Sequence, residues 1–406
     1  MSRASLLAAI LVAGCTKSDI VAFRPSSVDA GRDADVDAGT DAGADPVTGC
    51  PGPVNLPGAS ARCSASLAQE RFVGAICSCL LGTTSAGSLA IDAFDSRVGP
   101  YDAANANLGG SLLANDTTVL AGTTTVSGPL TVVSPAGLYF SGSAAELTVS
   151  GPIAVWAPLV DPLTEAVVIG GMDVSIGGAV QLDTLDVTGV FHHPSSSMTM
   201  VTNPIYRGGV VDEEILPPYP CPCPMQLPLD LAGPIAAAAT ENENAAIGLA
   251  PGAYAGLSSN ATLTLPCGRY HLDAISSSAP LVIHATGHVA LFIDGDVDVA
   301  PLAIAIDVGA SLDLFIGGTI AIREPAQLGD PARPSALRIY VAGSTAITIE
   351  PNAALAGHLF AGNARLDVPA SYSLFGGVLA RDLRLGGSVS VHEDLAIHQE
   401  AQRCGP

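Results

Sequence analysis

The sequence predicts an all-β chain wound as a right-handed parallel β-solenoid, interrupted by a Pro/Cys-rich connector and one short helix. Three observations predict it. From residue 108 onward, short segments rich in Val, Ile, Leu and Thr alternate with Gly, Pro, Ser or Asp breaks, and few stretches hold a helical period. Many breaks are glycine pairs, as coil corners require: Gly170-Gly171, Gly177-Gly178, Gly317-Gly318, Gly376-Gly377 and Gly386-Gly387. Aromatic residues make up only 4% of the 406 residues, lean for a sandwich core, whereas small and aliphatic side chains stack well in successive turns. Two β-sandwich domains are the alternative arrangement of the same strands.

Taken in order, the N-terminal coils occupy residues 87–200, with strand segments at 123–126, 130–133, 147–149, 153–156, 166–169, 174–176 and 185–187. Residues 201–245 break the pattern. Pro204, Pro217, Pro218, Pro220, Pro222, Pro224 and Pro228 surround Cys221 and Cys223, and residues without an N–H cannot form a central strand. The same stretch holds the one helical pattern, at 231–244. The C-terminal coils fill residues 246–406, with segments at 290–293, 302–306, 311–316, 319–322, 337–341, 346–349, 355–360, 373–379 and 388–391.

The N-terminus reads as an address. Arg3 precedes an apolar run at residues 4–13, shorter than the roughly 20 residues a membrane span needs but suited to a signal peptide. Val12-Ala13-Gly14-Cys15 resembles the bacterial lipobox, which implies a signal peptide at 1–14 and acylation of Cys15. Thr16 stands where inner-membrane lipoproteins carry Asp, so the expected destination is the outer membrane, on its cell-surface or periplasmic side. Residues 15–49 form an acidic tether. Within it, over residues 28–46, Asp29, Asp33, Asp35, Asp37, Asp41 and Asp45 oppose Arg32 alone, with too little apolar surface to fold.

Residues 50–86 are a Cys-containing segment preceding the coils. Beyond Cys15 there are eight cysteines: Cys50, Cys63, Cys77, Cys79, Cys221, Cys223, Cys267 and Cys404. An even number in an exported chain points to disulfides. One residue separates Cys77 from Cys79 and Cys221 from Cys223, where structural zinc sites use about two to four. The pairing itself stays open.

Chemistry is sparse. Asp294, Asp296 and Asp298 read first as a coil corner, second as calcium ligands, and third as carboxylates for glycoside cleavage. Val299 occupies the place where a calcium loop of the EF-hand type needs Gly. His192, His193, His284 and His288 lie in loops or near turns. The sequence holds no Gly-x-Ser-x-Gly elbow, His-Glu-x-x-His or phosphate-cradling loop. No catalytic residue and no cofactor is therefore expected. A formal net charge of −22, with Lys17 the single lysine, argues against nucleic acid as a partner.

Several motifs resemble one another's company in a known domain. Asp92-Ala93-Phe94-Asp95-Ser96-Arg97-Val98-Gly99-Pro100-Tyr101, Leu265-Pro266-Cys267-Gly268-Arg269-Tyr270, Leu359-Phe360-Ala361-Gly362-Asn363-Ala364 and Val391-His392-Glu393-Asp394 recur in this order. Together, over residues 87–404, they resemble an uncharacterised bacterial β-solenoid surface domain found on pilus-accessory and adhesin-like exported proteins. The resemblance implies location and architecture and brings no catalytic residues. The functional expectation is a lipid-anchored, non-catalytic surface module that contacts a glycan or another surface protein. A carbohydrate-active enzyme on the same scaffold and a purely structural envelope component are the alternatives.

Overall fold

A strand of three to six residues with a single apolar side cannot bury that side against itself; it must lie under another strand in register. The computed structural model, which describes residues 55–57, 63–84, 87–102, 104–106, 109–163 and 165–403, shows that solution. It is a parallel β-solenoid of about 13 turns, all within one compact unit. Each turn lays down three strand segments, here faces A, B and C.

The C-terminal turns begin with Ala261–Leu265 on face A, Gly268–Leu272 on face B and Ile275–Ser277 on face C. Leu281–Ala285, His288–Ile293 and Val297–Val299 pair in parallel on top of them. Later turns run without a break, so that Ala354–Val368 and Tyr372–Leu385 each cross all three faces. Gly376 makes one such corner: its φ is +117°, and a Cβ there would strike the carbonyl of Gly357 one turn away.

The two coil sets are one stack. Val389–Asp394 supplies face A of a turn whose faces B and C come from Ile76–Thr84, at the other end of the sequence. Ser88–Phe94 then pairs in parallel with Val389–Asp394, matching Asp92 to His392 and Phe94 to Asp394. Two stretches expected to flank the coils thus carry solenoid strands. Ile76–Thr84 lies in the 50–86 segment, and Thr199–Tyr206 runs from the end of the 87–200 coils into the 201–245 connector, which also holds Val210–Val211. Pro204 is tolerated in the latter because this is the last turn, an edge.

Two hydrophobic layers result. The inner core fills the coil with stacked aliphatic side chains such as Leu130, Ile153, Val174, Leu291, Leu314 and Ile339, all essentially buried. A second layer lies outside face B, where Phe292, Phe315, Tyr340 and Phe360 are covered by Leu67, Phe72, Cys221, Cys223, Leu231 and Ile235. Their carriers are helix α1 (Ser64–Arg71), the connector and helix α2 (Ala232–Ala238). The Phe292, Phe315 and Tyr340 rings stack in register, centroids 4.8 Å apart at each step and within 9° and 6° of parallel.

The connector is pinned. Cys77 bonds to Cys221 and Cys79 to Cys223, with Cα atoms 5.7 and 5.6 Å apart. The Asn115 side chain donates to the Cys221 carbonyl at 2.8 Å and accepts from its N–H at 2.9 Å. Arg71 donates to the carbonyls of Pro222 and Leu227. Cys63 and Cys267 are also disulfide-bonded, to partners outside the described residues. Cys15, Cys50 and Cys404, with the signal and tether segments, lie outside them too.

One short helix was expected over 231–244, and the described residues hold two short α-helices. α2 stops at Ala238 because Asn242 turns its amide back to the Ala238 carbonyl (2.8 Å) and accepts the Asn244 N–H (3.1 Å). α1 buries Leu67 and two alanines with the polar Ser64 and Arg71, too weak an apolar period to read in sequence; it holds by packing on the face B layer. Among the described residues no helix is long and apolar enough to cross a membrane.

Candidate functional site

Face B is partly covered, so ligand-accessible chemistry falls to faces A and C and to the corners. Strand pairing fixes what face A presents, because register-matched residues stack about 4.8 Å apart along the solenoid. One outward column runs Ser373, Ser390, Ala90, Thr125, Thr148 and Ile169 across consecutive turns. It continues to Asp186 and Ile205 at one end and, through Ala354, Gln327, Ala303 and Val282, to Thr262 at the other. From Ser373 to Thr148 its members are small and neutral; beyond them stand the larger Ile169, Ile205 and Gln327 and one charge, Asp186, which is paired with Arg207 at 2.7 Å. The hydroxyls of Ser390 and Ser373 hydrogen-bond to each other at 2.8 Å.

Face C is different. Its outward groups include Arg365 with Asp367 (2.8 Å), Arg381 with Asp382 (2.9 Å) and Asp298 with Arg323 (2.6 Å). Such pairs are solvated and self-satisfied. In a chain of net charge −22, the small neutral column of face A is the unusual surface.

The motif of the surface-domain resemblance lands at the join between the two coil sets. Asp92 accepts from the Tyr101 hydroxyl at 2.7 Å and meets His392 Nδ1 at 2.6 Å, while the Tyr101 and His392 rings stand 4.0 Å apart. Partial burial and the bond to Asp92 push the Tyr101 hydroxyl up to about 12. Asp394, fully buried, accepts from the Ser96 N–H and hydroxyl, the Ser335 N–H and the Ala396 N–H. Asn105 ties the turn together through the carbonyls of Asp95 and Gly99. Arg97 beside Asp95 holds that carboxyl below its ordinary range. These contacts latch residues 92–105 onto the closing strand. Beside them lies a cavity of about 180 Å³ lined by Ser96, Arg97, Ser311, Arg333 and Ser335, with no carboxylate on its wall.

The three acidic candidates separate. Asp294 and Asp296 lie in the corner after His288–Ile293, and Asp298 lies on Val297–Val299, so they do not share one strand face. Asp296 accepts the Thr319 N–H of the next turn at 2.8 Å, the corner role. Asp298 is spent on Arg323. Asp294 alone faces other ligating atoms, those of His271 and Asp273, two residues that sequence reading missed. The signal was present as stacking: Leu272 pairs with Ile293, so Asp273 and Asp294 follow at equivalent corners of adjacent turns. The adjacent histidines point apart, His192 to Glu213 (2.8 Å) and His193 to the Gly178 carbonyl (2.9 Å). His284 meets Asp307 at 2.9 Å and His288 meets Ser311 at 3.0 Å.

No curated protein matches the chain. Among solved structures, an ice-binding protein from an Antarctic bacterium of the Flavobacteriaceae is 10% identical. The comparison spans 81% of this chain and 83% of that one, with a TM-score of 0.22, too slight a superposition to bear on function. Residues 231–400, from the start of α2 past the closing strand Val389–Asp394, match the family model described as a domain of unknown function (DUF7305).

Proposed function

We propose that this chain is an envelope lipoprotein, anchored through Cys15, whose solenoid presents face A as a non-catalytic contact surface for a glycan. The observation that carries the contact reading is the outward column of Ser, Thr and Ala from Ser373 to Thr148. Neutral hydroxyls at one-turn spacing can exchange hydrogen bonds with a polyhydroxylated chain, and a carbohydrate or anionic envelope polymer meets little repulsion there. The anchoring reading rests on the lipobox resemblance and the acidic tether.

Two experiments test the two parts. Binding to immobilised polysaccharides should fall by tenfold or more in Thr125→Glu, a single surface change that leaves thermal stability within about 0.5 kcal/mol. Absence of binding to every polysaccharide, equal binding by the variant, or release of shortened sugars would defeat a non-catalytic glycan surface on face A. Separately, Cys15→Ser should move the protein from the membrane to the soluble fraction; retention without acylation would remove the anchor.

A further inference from the structure

We propose that His271, Asp273 and Asp294 form a binding site for a divalent transition-metal ion, Zn²⁺ foremost, at the corner between faces B and C, across the two stacked turns that begin at Ala261 and Leu281. The ligand atoms of the three residues all lie within 4.8 Å of one another. Asp273 and Asp294 hold equivalent places on adjacent turns, and like charges stacked this way repel. Acidic corners are common on a chain of this charge and by themselves point to nothing. The histidine separates this corner from the rest.

His271 is 3% exposed and projects from face B, since its strand neighbours Tyr270 and Leu272 fill the inner core. Neither of its ring nitrogens makes a hydrogen bond among the described residues. Nε2 stands 3.1 Å from Oδ1 of Asp294, within ion-pair range but off the line of a hydrogen bond. Its backbone is held fixed: the Asn244 side chain donates to the His271 carbonyl at 2.7 Å and accepts its N–H at 2.9 Å. A buried imidazole so placed, with its nitrogen turned to two stacked carboxylates, calls for a cation between them.

Ligand chemistry selects the ion. Imidazole suits zinc and its neighbours better than calcium or magnesium, and two carboxylate oxygens are compatible with Zn²⁺. Three protein ligands leave a fourth tetrahedral place for water at the exposed side, where Asp273 and Asp294 meet solvent. At Zn–ligand distances of about 2.0–2.2 Å, tetrahedral donors sit about 3.4 Å apart, so the site must tighten slightly. The two exposed aspartates can rotate to do this while His271 stays put. Nδ1 has no acceptor to orient the ring, a lack that costs roughly 10–100-fold in affinity and sets the expectation at micromolar dissociation constants.

The test is calorimetric titration of the full chain with Zn²⁺ and separately with Ca²⁺, alongside Asp273→Asn and Asp294→Asn. Both substitutions are at exposed positions and leave the fold intact, which the metal-free melting temperature verifies. The expected result is one equivalent of Zn²⁺ on the wild type, at least tenfold weaker binding in each variant, and a zinc-dependent rise in melting temperature confined to the wild type. Co²⁺ bound at the same place should give visible absorption of tetrahedral type. Zinc binding that is undetectable, that survives both substitutions, or that is outcompeted by equimolar Ca²⁺ overturns the proposal and leaves His271 as a close neighbour of Asp294 only.

Discussion

Face B runs the length of the solenoid, yet its outward side is made of two materials. In the C-terminal turns the register column reads Phe292, Phe315, Tyr340, Phe360, and the strands His288–Ile293 and Ser311–Ile316 are buried on both sides. In the N-terminal turns the same column reads Thr131, Ala154, Ser175, and Leu130–Val132, Ile153–Val155 and Val174–Ile176 alternate between buried and half-buried. The backbone is equivalent in both regions. What differs is whether a second apolar layer lies on top. The cover from α1, the connector and α2 packs on the first region. The second is met only at its edge, where Ile215 lies beside Gly177, and keeps Thr131, Ala154 and Ser175 half-buried. A continuous apolar run marks a strand wanted on both faces, and alternation marks one that meets water. The cover is therefore written into the strands beneath it.

The largest effect should come from releasing that cover. The two disulfides each close 144 residues and lie side by side, so either one restrains nearly everything the other does. Removing both, by Cys221→Ser with Cys223→Ser and their partners Cys77→Ser and Cys79→Ser, should cost about 4–5 kcal/mol by loop-closure entropy. Removing a single bond should cost about 1–2 kcal/mol, because the survivor leaves only a small ring to open. Denaturant titration measures both, and amide exchange should quicken in Ser311–Ile316 and not in Val174–Ile176. A double removal that costs only the sum of the two single removals would show that the clips act independently and that the cover does not hang on them jointly.

Next in size is the ring stack itself. Phe315→Ala removes a fully buried phenyl from between Phe292 and Tyr340 and should cost about 3–5 kcal/mol. Thr131→Ala, in the equivalent column of the N-terminal turns, should stay within about 0.5 kcal/mol. Thermal melting of the two variants sharpens the contrast into one number. A small loss at Phe315 would mean the cover collapses into the vacated space, and that the second layer is soft.

Much of this was readable before any coordinates. Strand segments, glycine corners, the corner role of Asp296 and the disulfide character of Cys77-Ser-Cys79 and Cys221-Pro-Cys223 are local in cause, and local patterns reveal them. The join between Val389–Asp394 and the strands of residues 76–94 was not readable. Any two turns of a solenoid stack with similar energy, so periodicity cannot say which end meets which. Only specific partners, Asp92 with His392 and Ser96 with Asp394, choose the register, and they lie some 300 residues apart. α1 was hidden for the opposite reason: its stability is borrowed from the layer it covers. His271 was missed because a lone histidine inside a strand carries no pattern; its meaning comes from the corner carboxylates that stacking brings to it.

The cover also makes the two regions differ in acid. His358 lies under it, 1% exposed, against the Phe72 ring at 5.0 Å and paired in register with Arg338. Burial first, then the charges of His398 and Arg338, push the imidazole down to about 4, against an opposing pull from Asp394. A base whose folded-state pKa is depressed stays neutral when folded while the unfolded chain takes up a proton, so the unfolded state binds more protons below pH 6.5. The stability is whole above about 6.5 and drains away as pH falls toward 4, by about 1–3 kcal/mol. His358→Leu, close to imidazole in volume, removes the proton acceptor and should flatten that slope in melting curves taken from pH 7 to 4. Other carboxylates and histidines titrate in the same window and are common to both proteins, so the difference between the two curves isolates His358. Parallel curves would show that the ring finds water or Asp394 when protonated, and that the covered region of face B is more open to solvent than its packing implies.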